Sequence, residues 1–238
     1  GPQEILISAG DGLYMIPVPQ NPDTDPWNAI LLIPQAADEG FATGDIDGDG
    51  DIDIAFSGYV EVGDKKSILQ LSWWENPGDS GSEARVHELH RSQHDIDRIR
   101  IADLNGDGRA DIVYSEERWP GKEPDANLVW LEAPRNPRSG NWKDHLLVTQ
   151  YSMNSLDVGD IDRDGDFDLV TNEHKGEKLQ TQIFENNGQG RFTMRVIDTG
   201  KEMHLGAQLA DLDQDGDLDL YGHAWDNYQF LHLWQNGN

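Results

Sequence analysis

Four stretches of the chain set oxygen donors at alternate positions around a glycine, which is the spacing a hard cation needs. They read DIDGDGDID from Asp45, DLNGDGRAD from Asp103, DIDRDGDFD from Asp160 and DLDQDGDLD from Asp211. Positions 1, 3, 5 and 9 carry Asp45, Asp47, Asp49 and Asp53; Asp103, Asn105, Asp107 and Asp111; Asp160, Asp162, Asp164 and Asp168; Asp211, Asp213, Asp215 and Asp219. Glycine holds position 6 each time (Gly50, Gly108, Gly165, Gly216), where a chain turning sharply about an ion needs a backbone that other residues adopt only with strain. Oxygen ligands in a flexible loop suit Ca²⁺ rather than zinc or copper, and Mg²⁺ would keep more of its water. The backbone carbonyl at position 7 (Asp51, Arg109, Asp166, Asp217) is the expected fifth ligand, which gives about four Ca²⁺, one per loop. An EF-hand opens in the same way but closes on a bidentate glutamate at position 12. Here position 12 is Phe56, Tyr114, Thr171 and Gly222, so that reading fails. The bland alternative, acidic turns that bind nothing, is disfavoured because carboxylates this close repel one another until a cation sits among them.

Something must hold these loops at regular intervals. Their starts are 58, 57 and 51 residues apart, close to the repeat of a propeller blade and too long for leucine-rich or ankyrin units. Each loop runs into a short β-branched or apolar segment, as in Asp53-Ile54-Ala55-Phe56 and Asp111-Ile112-Val113-Tyr114. A second segment ends in an aromatic turn, as in Leu71-Ser72-Trp73-Trp74-Glu75-Asn76-Pro77 and Ile183-Phe184-Glu185-Asn186-Asn187-Gly188, and a third follows, as in Phe192-Thr193-Met194-Arg195-Val196-Ile197. With the apolar segment leading into each loop, the unit has four strands and no helical periodicity. The expected fold is all-β, a propeller of four-stranded antiparallel blades, with a solenoid as the runner-up. About five blades are expected in one domain over 1–238, with repeats near 1–38 (partial), 39–96, 97–153, 154–204 and 205–238 (partial). The segment after Gly1-Pro2 aligns with the end of an acidic loop, so the first blade lacks its innermost strand. The chain is either a compact five-bladed ring or part of a larger propeller with further blades or domains. The aromatics Trp73, Trp74, Trp130, Phe184 and Trp234 recur at equivalent positions and are expected between blades.

The pattern D-x-D-x-D-G-x-x-D followed by an apolar strand resembles the FG-GAP/VCBS repeat family, calcium-loop propellers related to the integrin head. The turn Trp74-Glu75-Asn76-Pro77 is similar to that of secreted bacterial members. The resemblance implies calcium between the first and second strands of a blade, in a stabilising role. It implies no single activity, since lectins, adhesion modules, polysaccharide lyases and a sugar dehydratase use such propellers.

Composition narrows the partners. Of 238 residues, 45 are acidic and 18 basic, a formal charge of −27, which argues against nucleic acid and against adhesion to anionic membranes. No apolar run is long enough for membrane insertion. Hydrophobic content of 36% with eight tryptophans argues against disorder, and the absence of cysteine excludes disulfides and thiolate sites. Loops of this kind fill where free Ca²⁺ is ~10⁻³ M, so an extracellular location, secreted or at the cell surface, is expected.

Unusual polar residues gather where the blades could open on a channel. Asn172, Glu173, His174 and Lys175 follow one loop; Glu117, Arg118 and Trp119 follow another; His223, Trp225, Asp226 and Tyr228 follow the last; Glu202 with His204 precedes it. Two functional classes compete. In a carbohydrate-binding module, Trp119, Trp225 and Tyr228 stack on sugar rings while Glu117, Asn172, Glu173 and Asp226 fix hydroxyls. In a lyase or sugar dehydratase, one of His174, His204 and His223, or a tyrosine, removes the proton α to a carboxylate or carbonyl, and Arg118 or Lys175 neutralises the developing charge. A histidine cluster could also hold Zn²⁺. The overall acidity weighs towards neutral glycans, and a purely protein-adhesive propeller is the third reading. Histidines 87, 90, 145 and 232 are expected to be packing or surface residues.

Overall fold

The last aspartate of each loop is also the first residue of a strand, and that coincidence organises the fold. In a computed structural model, which describes residues 3–62, 65–78, 83–204, 206–225 and 230–237, five antiparallel sheets follow one another along the chain. The first contains β1 (Glu4–Ala9), β2 (Gly12–Pro17) and β3 (Ile30–Ile33). The second contains β4 (Ala36–Gly44), β5 (Asp53–Val62), β6 (Lys65–Glu75) and β7 (Arg85–Arg91). The third is β8 (Asp95–Ala102), β9 (Asp111–Glu117), β10 (Ala126–Glu132) and β11 (Lys143–Gln150). The fourth is β12 (Met153–Gly159), β13 (Asp168–Glu173), β14 (Thr181–Glu185) and β15 (Thr193–Asp198). The fifth is β16 (Ala207–Ala210), β17 (Asp219–His223) and β18 (Leu231–Trp234). In all five sheets, strands adjacent in the chain are hydrogen-bonded neighbours, the up-and-down order of a blade. Among the described residues three blades have four strands, and the first and fifth have three.

The core lies between blades rather than within them. Leu13 and Ile33 meet Ile54 and Phe56 across the first junction, and Trp73 and Leu71 meet Ile99 and Tyr114 across the second. Trp130 and Leu128 meet Leu156 and Phe184 across the third, and Val170 meets Met203 and Leu220 across the fourth. Each fully buried side chain of this size contributes about 1.5–3 kcal/mol by leaving water, so every blade depends on its neighbour. The inner strands β4, β8, β12 and β16 pack on one another in order, with β4 also on β1. Among the described residues the first and fifth sheets do not pack on each other as these neighbours do. They carry exposed apolar side chains instead, Ile5 and Ile7 at one end, Leu231 and Leu233 at the other. No helix among the described residues is long and apolar enough to cross a membrane.

A short 3-10 turn at Pro137–Ser139, capped by Asn136, interrupts the third blade. It delivers Arg138 to the first acidic loop, where the guanidinium touches Asp47 and lies 2.9 Å from Glu75.

Candidate functional site

Two constellations of polar groups stand out, one repeated and one unique. In the repeated one, each acidic loop is folded by its own carboxylates. The position-1 aspartate accepts backbone N–H groups of the turn: Asp45 Oδ2 from Gly50 at 3.1 Å, Asp103 Oδ2 from Gly108 at 2.7 Å, Asp160 Oδ2 from Gly165 at 3.1 Å and Asp211 Oδ2 from Gly216 at 3.2 Å. Position 6 is left-handed in every loop, and so is position 4, filled by Gly48 and Gly106 but also by Arg163 (φ 63°) and Gln214 (φ 65°). That second strained position was not singled out from sequence.

The position-9 aspartate has a larger structural part than a ligand alone. One oxygen accepts the N–H of loop position 2, at Ile46 (3.0 Å), Leu104 (3.1 Å), Ile161 (2.9 Å) and Leu212 (3.1 Å). The other accepts an N–H from the turn after the third strand, at Asn76 (2.8 Å), Ala133 (2.8 Å), Asn186 (2.8 Å) and Asn236 (2.9 Å). This clamp ties the loop to the aromatic turn and accounts for the burial of Asp53, Asp111, Asp168 and Asp219. The turn asparagines then cross to the preceding blade, Asn186 Nδ2 to the Leu104 carbonyl at 2.8 Å and Asn236 Nδ2 to the Ile161 carbonyl at 3.0 Å.

Three loops bring carboxylate oxygens within 4.8 Å of one another: Asp45, Asp47 and Asp53; Asp160, Asp162 and Asp168; Asp211, Asp213 and Asp215. These groups could hold a metal ion. Burial pushes Asp53 and Asp111 up to about 6, and burial followed by the charges of Asp164, Asp168 and Asp162 does the same to Asp166. The loop at Asp103 differs. Asn105 supplies a neutral oxygen and Arg109 folds back on Asp107, while its Nε donates to the Ala133 carbonyl at 2.9 Å. At position 7 the Asp51 and Asp166 side chains face the outer turn of their own blade, against Gly78 and Gly188, while the guanidinium of Arg163 reaches the Asp217 carboxylate at 2.6 Å.

The unique constellation lies where the second strands of the third and fourth blades end. Glu117 and His174 occupy the same register, six residues past the last loop aspartate of adjacent blades. His204, on the segment entering β16, brings its ring centroid to 3.6 Å from that of His174. One ligand atom from each of Glu117, His174 and His204 falls within 4.8 Å of the others. His174 is 1% exposed, and its Nδ1 lies 3.2 Å from Glu202 Oε1. The same Glu202 oxygen accepts the backbone N–H groups of His204 and Trp225, each at 3.0 Å. Burial, then the neighbouring His174, pulls His204 down to about 4, with Lys175 and Arg98 acting in the same direction and Glu202 opposing. His204 is therefore neutral at neutral pH.

A cavity of about 630 Å³ opens beside this cluster, bordered by His174, Lys175, Lys201, Glu202, Phe230 and His232. The Lys175 ammonium stands 5.7 Å from the ring centre of Trp119, which is 76% exposed, and the Trp225 ring lies 5.4 Å from His204. Ser152 anchors the Trp119 segment: it accepts the Arg118 N–H at 2.9 Å, donates to the Arg118 carbonyl at 3.0 Å, and its own carbonyl accepts the His174 N–H at 2.7 Å.

Other expected site residues fall elsewhere. Asn172 is fully buried, with Nδ2 donating to Thr181 Oγ1 and the Lys201 carbonyl and Oδ1 accepting the Met203 N–H, so it builds the wall rather than touching a ligand. Glu173 is 6% exposed and accepts the Gln180 N–H at 3.1 Å, again a structural part. The Arg118 guanidinium is engaged by Asp125. His223 sits at the end of β17, opposite Leu231, outside the residues bordering the cavity. Asp226 and Tyr228 lie outside the described residues. Of the histidines expected to pack, His87 stacks on Trp73 at 4.5 Å and His145 on Trp130 at 4.1 Å, each bonded to a glutamate at 2.7 Å, whereas His232 borders the cavity. Glu202, which joins the cluster to the fifth blade, stands two residues before His204 among the unusual polar residues flanking the last loop, although no ligand or catalytic role was expected of it.

Comparison with known proteins agrees with this architecture. A family model for the FG-GAP-like repeat matches residues 45–114, the first complete loop through the start of the next blade. Cartilage acidic protein 1 of Xenopus tropicalis is 24% identical over 255 residues, which takes in 100% of this chain and 38% of that protein. Rhamnogalacturonan exolyase YesX of Bacillus subtilis (strain 168) is 30% identical over 169 residues, 58% of this chain and 27% of that protein. The chain thus spans well under half the length of either relative. Four loops of one pattern, each opening the second strand of a blade, make the chain a β-propeller, and the stretch 45–114 within it matches the FG-GAP-like repeat.

Proposed function

We propose that this chain is an extracellular, calcium-stabilised propeller whose cavity beside His174 and His204 engages a polysaccharide. The observation that carries the reading is the mouth itself, where an open cavity is bordered by a buried imidazole and two lysines, with an exposed tryptophan beside Lys175. Sugar sites are built this way, from a flat apolar face for the ring and a few convergent polar groups for its hydroxyls and charges. Trp119 supplies the face and Lys175 the charge, while Lys201 at the cavity edge is paired with Asp198. Ca²⁺ fits the aspartate loops because their side-chain donors are all oxygens and, in three of the four, converge within 4.8 Å. Four ions would bring the formal charge from −27 to −19, so much of the acidity is local to the loops. Nucleic acid and membrane insertion are no part of this reading.

The mouth carries cations among its carboxylates, with Lys201 paired to Asp198 and Arg98 to Asp97. Lys175 and Arg98 both act on His204, and Lys201 borders the same cavity, in a chain with only 18 basic residues. Lys175, standing beside the exposed Trp119, offers a cation next to a stacking face, and this favours a uronate-containing glycan over the neutral glycans expected from overall charge. It also favours a second reading, eliminative cleavage, in which a cation neutralises the uronate carboxylate as the α-proton leaves. The similarity to a protein named as a rhamnogalacturonan exolyase supports the same substrate class. The test is retention on a panel of neutral and uronate-containing polysaccharides, with absorbance followed where unsaturated uronates absorb. Retention on uronate polymers without absorbance supports the binding module, and absorbance supports the lyase. Retention on neither, with capture by a matrix protein instead, would replace both with the adhesive reading.

A further inference from the structure

We propose that Glu117, His174 and His204 form a metal site of a second kind, one that takes a single divalent transition ion of the Zn²⁺ class at the mouth of the propeller. Three consecutive blades supply the donors: Glu117 ends β9, His174 follows β13 and His204 leads into β16. Their ligand atoms lie within 4.8 Å of one another. Donors ~2.0–2.2 Å from a tetrahedral ion stand about 3.3–3.5 Å apart, so closing on the ion moves each side chain by less than about 1 Å.

Independent of that spacing, two imidazole nitrogens are buried with no hydrogen-bond partner, Nε2 of His174 and Nδ1 of His204. A buried acceptor left unsatisfied is costly, and coordination removes the cost. The side chain of His174 is fully buried, so solvent does not satisfy it. Its other nitrogen faces Glu202 Oε1 at 3.2 Å, a carboxylate that holds the proton on Nδ1 and so leaves Nε2 as the lone pair free to ligate. A carboxylate behind a ligating histidine is the usual outer support of an imidazole–metal bond. Glu202 is in turn fixed by the N–H groups of His204 and Trp225, so ligand and support are braced by one residue.

The donor set separates this site from the loops. Ca²⁺ and Mg²⁺ take oxygen, whereas two imidazoles and one carboxylate suit zinc and its transition-metal neighbours. Three protein ligands leave a coordination position open, the count found where a metal acts on a ligand rather than only holding a fold. The cavity on that side is bordered by Lys175 and Lys201, so an anionic oxygen of a bound molecule could complete the shell. The inference stands apart from the glycan reading, because the metal is detected without any glycan.

The full chain, kept in millimolar Ca²⁺ so that the loops are filled, is titrated with Co²⁺ and then with Zn²⁺. The expected result is one Co²⁺ per chain with a visible absorption band that free Co²⁺ lacks, displaced by one equivalent of Zn²⁺. His204→Asn and Glu117→Gln, both at partly exposed positions, are expected to weaken Co²⁺ binding at least ~100-fold while far-UV circular dichroism stays unchanged. Glu202→Gln, acting through His174, should weaken it by about 10- to 100-fold. Co²⁺ uptake that is absent, or that is equally tight in His204→Asn and Glu117→Gln, overturns the proposal. Loss of glycan retention with Co²⁺ binding intact would count against the polysaccharide reading alone.

Discussion

Withdrawing calcium should unfold this molecule well below its holo melting temperature, and the loops allow the size to be worked out. Loops of the weak extracellular class bind with Kd ~10⁻⁴ M, so ~10⁻³ M Ca²⁺ is about ten times Kd. An ion that binds only the native chain then stabilises it by RT ln(1 + 10), about 1.4 kcal/mol per loop. Three loops hold converging carboxylates and the Asp103 loop is part-filled by the Arg109 guanidinium, so the total is about 4–6 kcal/mol. For a chain of this length each kcal/mol moves Tm by about 2–4 °C, a fall of roughly 10–20 °C. The assay is a thermal melt followed by tryptophan fluorescence, before and after chelation, with Ca²⁺, Mg²⁺ or Zn²⁺ returned separately. Ca²⁺ alone should restore the full Tm. Asp164→Asn provides an internal control: it should remove about one loop's share when Ca²⁺ is present, yet leave the chelated protein as stable or more so, because Asp164 raises its neighbour Asp166 by repulsion. A Tm within a degree or two of the holo value after complete chelation would refute the reasoning, as would an Asp164→Asn variant destabilised equally with and without Ca²⁺.

Three further outcomes follow from the same contacts. In the chelated protein, Asp53, Asp111 and Asp166 bind protons up to about pH 6 when folded and only to the ordinary carboxylate range when unfolded, so the stability they contribute is present below about pH 4 and lost as pH rises through 6, against an opposite contribution from His204; urea midpoints of wild type and Asp166→Asn across this range isolate the Asp166 share, and Ca²⁺ should abolish the difference in slope. Asn186→Ala strips a buried side chain that donates to the Leu104 and Phe167 carbonyls across two blades, and a loss of about 2–3 kcal/mol in urea unfolding is expected against a near-neutral Gln189→Ala at an exposed position of the same turn. Glu202→Gln should cost about 1–2 kcal/mol through weaker bonds to His174, His204 and Trp225, and faster amide exchange at Trp225 would show that the fifth blade has loosened at that point.

The fold was legible in the sequence because each repeat carries its own punctuation. The last aspartate marks the first residue of β5, β9, β13 and β17 without error, since that carboxylate must clamp the loop to the aromatic turn. The interblade tryptophans were legible for the same reason, being repeated at one register. The mouth was less so. His174 and His204 were visible as unusual residues after and before loops, and Glu117 could be placed beside His174 by counting six residues from Asp111 and Asp168. Spacing says nothing about which polar groups are consumed internally, so Asn172 and Glu173 looked like ligands although their partners, Lys201, Met203 and Gln180, lie on other segments. Glu202 was visible beside His204, but its bracing role was not, as that rests on contacts with His174 and Trp225 from other segments.

The central claim, that this mouth holds an acidic glycan, is tested most directly by titrating the Ca²⁺-loaded chain with an oligogalacturonide and comparing wild type with Trp119→Ala. Trp119 is 76% exposed and contributes little to the core, so the variant should melt with wild type while binding about tenfold more weakly, the ~1.4 kcal/mol expected of one lost stacking face. Equal affinity in the two proteins, or binding that a neutral oligosaccharide matches, would contradict the account.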